Sequence, residues 1–161
     1  MTQDLSTYLH DHLAGATLAL ELLEHLHTLH HSDFIGAFAT ELLLDIETDR
    51  TSLQQIAVRV GQPSNAVKEA AAWLGEKVSR LKLSDAGAIG FGTFETLEFL
   101  QLGIEGKVAL WRALEAASLR DIRLQSTDFA YLINRAEDQV ARVEKQRLDL
   151  ARTVFDEAAK S

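Results

Sequence analysis

Phe94-Glu-Thr-Leu-Glu-Phe-Leu-Gln-Leu-Gly-Ile-Glu-Gly-Lys-Val-Ala-Leu-Trp-Arg-Ala-Leu114 is the stretch that decides the fold. Leu97, Leu100, Ile104, Val108 and Trp111 recur at intervals of three and four, the spacing of one helical face. Phe99, Leu102, Leu110 and Ala113 form a second apolar stripe, and Gly103 and Gly106 would permit close approach of a neighbour. A helix that is apolar nearly all round belongs at the centre of an assembly. The expectation is a central core helix over about Thr93–Ser118.

The same period runs on both sides of it. A first helix is expected over about Asp4–His31, with Leu5, Leu9, Ala16, Leu20, Leu23 and Leu26 along one face, then a turn at Ser32-Asp33. A second follows over about Phe34–Val60, carrying Ile35, Phe38, Leu42, Ile46, Leu53, Ile56 and Val60. Gly61-Gln62-Pro63 stops it, since glycine suits the position after a helix and proline cannot continue one. A third is expected over about Asn65–Leu83 and a last over about Thr127–Phe155. At 1.5 Å per residue the third spans roughly 30 Å. That length would return the chain along the bundle and leave the second helix parallel to the fourth. With no strand-like alternation, the reading is all-α: a four-helix bundle with an additional crossover helix, one domain over residues 1–161.

Charge and composition narrow the function. A net charge of −8 argues against nonspecific nucleic-acid binding, which needs a basic face. The absence of cysteine removes disulfides, thiolate metal sites and a cysteine nucleophile. The opening Met1-Thr-Gln-Asp-Leu-Ser lacks a basic segment followed by an apolar run, so no signal peptide is expected. No apolar run approaches the length of a bilayer span. A cytoplasmic protein without membrane partners is the expectation.

Polar residues fall where the core should be. His12 and His30 project near the centre of the first helix's apolar face, with His27 close by, while Asp49 and Arg50 interrupt the second between Ile46 and Leu53. Glu98, Glu105 and Arg112 form a ridge between the two stripes of the fourth helix, and Arg147 lands between Val143 and Leu150. Aligned by register, these give a buried polar belt of Glu98 with Arg147, Arg50 with Glu105, and Asp49 with His12. Such pairs can fix helix register, although desolvation offsets most of their attraction. Glu41, Asp45 and Asp49 are spaced by four, with the first two expected on the solvent side.

His12, Asp49 and Glu105 supply the nitrogen and oxygen ligands that suit iron, manganese or zinc. Two arginines in the same belt would repel a divalent cation, so no metal and no cofactor is expected there. His27 and His31, four apart at the end of the first helix, are a weaker metal pair, and histidines there also complement the helix dipole. Residues 87–92 lack the Gly-Lys-Ser/Thr ending of a phosphate loop.

Tyr8-Leu-His-Asp-His-Leu-Ala-Gly-Ala16 and Leu102-Gly-Ile-Glu-Gly-Lys-Val-Ala-Leu-Trp111, with the helix order, resemble a bacterial branch of the ferritin-like superfamily. The resemblance covers nearly the whole chain and implies a four-helix core with an additional helix. Iron or oxygen chemistry would require a Glu-x-x-His motif on each of two helices and a glutamate from each of the other two. Glu24-His25-Leu26-His27 is the single match, at the edge of its helix, and Ala16 and Ala19 stand where a ligand glutamate is expected. The di-iron site is therefore not carried over, and no catalytic set is complete. The resulting expectation is a non-enzymatic bundle that forms a homodimer or binds a protein partner, with a stress role as in some ferritin-like relatives. The alternative is a divergent metal-binding protein or oxidoreductase.

Overall fold

A computed structural model describes residues 2–61, 76 and 89–158, and among them every regular element is an α-helix. α1 spans Thr2–Leu29, α2 Phe34–Val60, α3 Phe91–Ser118 and α4 Phe129–Ala158. Of the helix expected over 65–83, only Glu76 is among the described residues.

Local chemistry sets the boundaries. α1 stops at Leu29, before the expected His31, because His30 turns inward and is 1% exposed. Its Nδ1 lies 3.0 Å from Asp33 Oδ2 and its Nε2 3.1 Å from Thr93 Oγ1. Asp33 then caps α2, its Oδ1 accepting from the backbone of Ile35 at 2.8 Å and Gly36 at 3.3 Å. Gly36 is obligatory here: a Cβ would stand 2.0 Å from the carbonyl oxygen of His30. α2 ends at Gly61, whose φ of 110° favours glycine. Asp128 accepts from Tyr131 N at 3.0 Å, so α4 starts slightly later than expected.

Contacts between helices fix their directions. Ser6 Oγ donates to Gly61 O at 2.6 Å, joining the start of α1 to the end of α2. His30 meets Thr93 at one end of the bundle, and Asp49 meets Lys107 at mid-height, so α2 and α3 run the same way. α4 runs against α2, since Asp45 pairs with Arg142 while Arg59, near the end of α2, donates to Thr127 at 2.8 Å. Val60 and Phe91 therefore lie at opposite ends of the bundle.

The apolar core is divided in two. Leu22, Leu26, Ile35, Leu42, Leu97 and Val143 belong to one cluster, and Leu9, Leu53, Ile56, Trp111, Leu114 and Phe129 to the other. Each fully buried large side chain stabilises the fold by about 1.5–3 kcal/mol. The second stripe of α3 is only partly buried: Leu110 is enclosed, but Leu102 is 62% exposed and Ala113 faces water. α3 is therefore not buried all round.

Candidate functional site

A layer of polar side chains separates the two clusters. Asp49 is 1% exposed and occupies a core-facing position of α2 in the series Leu42, Ile46, Asp49, Leu53, Ile56. Lys107 occupies the matching position of α3, between Ile104 and Trp111, and Gln139 that of α4, between Ala136 and Val143. Lys107 Nζ donates to Asp49 Oδ2 at 2.6 Å, and Gln139 Nε2 donates to the same oxygen at 2.8 Å. Arg135 Nε donates to Asp49 Oδ1 at 3.1 Å, and Lys107 also donates to Gln139 Oε1. Both carboxylate oxygens are thus occupied, as a buried charge requires. Burial pushes Lys107 below the usual lysine range, against the pull of Asp49.

α1 contributes no comparable side chain to this layer. Its core-facing series is Leu9, His12, Ala16, Ala19, Leu23, and the small residues in the middle leave space. The result is a cleft of about 440 Å³ between α1 and α3, floored by α2. Gly15, Ala16 and Ala19 line one wall, Gly103, Ile104, Gly106 and Leu110 the other, and Ile46 and Leu53 the floor. Among the described residues, its polar side chains are Asp11, His12, Asp49, Arg50, Lys107 and Trp111. Burial pushes the His12 imidazole below its usual range, partly opposed by Asp11, and its ring packs edge-on against Tyr8 at 4.8 Å.

Two of the lining residues also carry a donor atom that is closed off from solvent and unmet. Trp111 is fully buried, yet its Nε1 has no hydrogen-bond partner, and the buried Nε of Arg50 has none either. Among the described residues Arg50 makes no ion pair.

The expected belt is distributed differently. Arg147 does reach Glu98 at 3.0 Å, but Glu98 is 50% exposed, and Arg147 also bonds Glu144 at 2.8 Å and Gln101 at 3.0 Å. That bond holds the Glu144 carboxyl below the usual glutamate range. Glu105 is exposed and accepts from Gln101 at 3.2 Å, away from Arg50. Arg112 pairs with Glu137 on the surface. His12 and Asp49 both line the cleft, but Asp49 bonds Lys107, Arg135 and Gln139. Asp45, expected in solvent, is half-buried and pairs with Arg142 and Arg135.

No group of three or more histidine, aspartate or glutamate side chains able to hold a metal converges among the described residues. His27 Nδ1 lies 2.8 Å from Thr40 Oγ1, and His31 sits in the turn after α1, so the two do not share a helical face. No helix among the described residues is long and apolar enough to cross a membrane. No family model, curated protein or solved structure matches the chain.

Gly103 and Gly106 carry another correction. A Cβ at either, or at Gly15, would meet nothing within 4 Å. Among the described residues they therefore permit no close helix approach, and all three line the cleft.

Proposed function

We propose that this chain is a ferritin-like bundle acting without catalysis as a binding protein, its occupant a small, mostly apolar molecule held between α1 and α3. The ferritin-like reading is supported by the shared direction of α2 and α3, combined with α1 antiparallel to α2 and α4 antiparallel to it as well. The observation that carries the binding reading is the set of cleft glycines. Gly15, Gly103 and Gly106 lack any packing neighbour that excludes a Cβ, and none has a positive φ. Each costs a helix interior roughly 0.5–1 kcal/mol relative to alanine. Stability is forgone at three positions where packing does not demand it, and all three line the cleft. Its 440 Å³ falls in the range of small-molecule sites, about 300–1,000 Å³. The metal-binding alternative has less support, because two cations and an amide already saturate Asp49.

The test is fluorescence titration with N-phenyl-1-naphthylamine, a neutral apolar probe. Saturable enhancement in the native chain, weakened at least about tenfold in a folded Gly15→Leu/Gly106→Leu variant, is the expected result. Undiminished binding in that variant would place the probe elsewhere and remove the reading.

A further inference from the structure

We infer that the occupant of the cleft is a neutral, mostly apolar molecule that carries a hydroxyl group, the hydroxyl bonded to the imidazole of His12 and the apolar body lying between α1 and α3. The inference rests on the binding reading above and adds the ligand's chemistry to it.

The His12 ring argues for a hydrogen-bonding group. His10, His27 and His30 each hold a ring nitrogen against a protein oxygen, at 2.9, 2.8 and 3.0 Å. Among the described residues His12 has no such bond, and its ring meets only the edge of Tyr8. It lines the cleft and is half-buried, and neither of its nitrogens is among the unpaired atoms closed off from solvent. A group inside the cleft can therefore reach it. In the core-facing series Leu9, His12, Ala16, Ala19, the imidazole stands at the end of the small residues that leave the space.

Charge argues that the group is neutral. Burial holds His12 below its ordinary range, so near pH 7.5 the ring is uncharged and offers one N–H and one bare nitrogen. The charged side chains of the lining are Asp11, Asp49, Arg50 and Lys107, two of each sign, and Asp49 is already paired with Lys107 at 2.6 Å. An ion entering this apolar cleft would lose hydration without meeting a net countercharge.

A hydroxyl suits a neutral imidazole in either tautomer. It donates to the bare nitrogen or accepts from the N–H, whereas an ether or ketone can only accept. A hydroxyl buried without a partner is costly, which places it at His12. Ala16, Ala19, Ile46, Leu100 and Ile104 offer no side-chain hydrogen bond, so the rest of the molecule is apolar. A sugar would leave most of its hydroxyls unpaired against that wall. A hydroxylated ring or chain satisfies both halves of the site.

2-Naphthol and 2-methylnaphthalene have nearly the same shape and differ in the hydroxyl, so their displacement of bound N-phenyl-1-naphthylamine isolates that group. Each is measured near pH 7.5 on the native chain, on His12→Leu and on His12→Phe, which keeps a ring against Tyr8. Retained probe binding reports that a variant is folded. Relative to 2-methylnaphthalene, 2-naphthol is expected to lose about fivefold in displacing power in the variants, the worth of one neutral hydrogen bond. On the native chain 2-naphthoate, the same ring with a carboxylate, should displace the probe only at higher concentration than 2-naphthol. An unchanged ratio in a folded variant overturns the hydroxyl assignment, and displacement by 2-naphthoate at an equal or lower concentration overturns the neutral one. Failure of the probe to bind the native chain saturably sinks the cleft reading itself, so the failures are distinguishable.

Discussion

Lys107 Nζ lies 2.6 Å from Asp49 Oδ2 at mid-height of the bundle, each residue in a position that its helix otherwise fills with leucine, isoleucine or tryptophan. The pair holds α2 and α3 in parallel register and interrupts the apolar core beside the cleft. Asp49 carries the layer because three donors from two helices converge on it.

Asp49→Ala leaves Lys107 and Arg135 without their shared carboxylate. Breaking a buried pair on one side costs about 3–5 kcal/mol, and urea unfolding near neutral pH should show that loss. The deficit should shrink as pH rises toward 10.5, because burial already lowers the folded Lys107 pKa and removal of Asp49 lowers it further. In that window the unfolded chain holds a proton that the folded chain has released, so stability rises with pH. A deficit independent of pH would place the cost elsewhere.

The glycines should respond in opposite directions to one substitution. Gly36→Ala drives a Cβ into the His30 backbone and should destabilise by about 2–3 kcal/mol. Gly103→Ala meets nothing and should stabilise by roughly 0.5–1 kcal/mol through helix propensity. Thermal melts of the two variants compare them directly.

Acid should weaken the fold through His12. Its folded pKa lies below 6.5 because burial disfavours the charged ring. As pH falls below 6.5 the unfolded chain takes up the proton first, so stability drops until the folded ring is protonated too. His12→Gln should reduce the loss between pH 7.5 and 5, measured by urea titration at both values. An identical loss in the variant would show that other groups carry the effect.

Arg147→Ala should cost little. Its partner Glu98 is half exposed and Glu144 is reachable by water, so the lost pairing is worth about 1 kcal/mol or less. A loss of several kcal/mol in a thermal or urea melt would mean that the Phe94 ring beneath its guanidinium, 5.7 Å away, depends on it.

The four helices of the described residues were legible because their apolar residues keep a three-and-four rhythm. Asp49 was legible because it breaks that rhythm in α2. Lys107 and Gln139 break it equally, between Ile104 and Trp111 and between Ala136 and Val143, and are readable by the same rule. They are obscured because long polar side chains sit in core-facing positions only when partners from other helices meet them, and those partners are remote in sequence. Glu98, Glu105 and Arg112 mislead for the complementary reason. They read as inward if both stripes of α3 are buried, but exposed Leu102 and Ala113 turn that ridge to water. Ala16 and Ala19 read only as small residues where a ligand glutamate would stand, and an empty volume depends on how far apart the walls are, which spacing along one helix does not specify.

The most direct measurement is the indole 15N–1H resonance of Trp111, assigned by its loss in Trp111→Phe, during titration with N-phenyl-1-naphthylamine. Trp111 lines the cleft, so the resonance should move saturably as the probe fills it. A resonance that stays fixed at saturating probe contradicts the account.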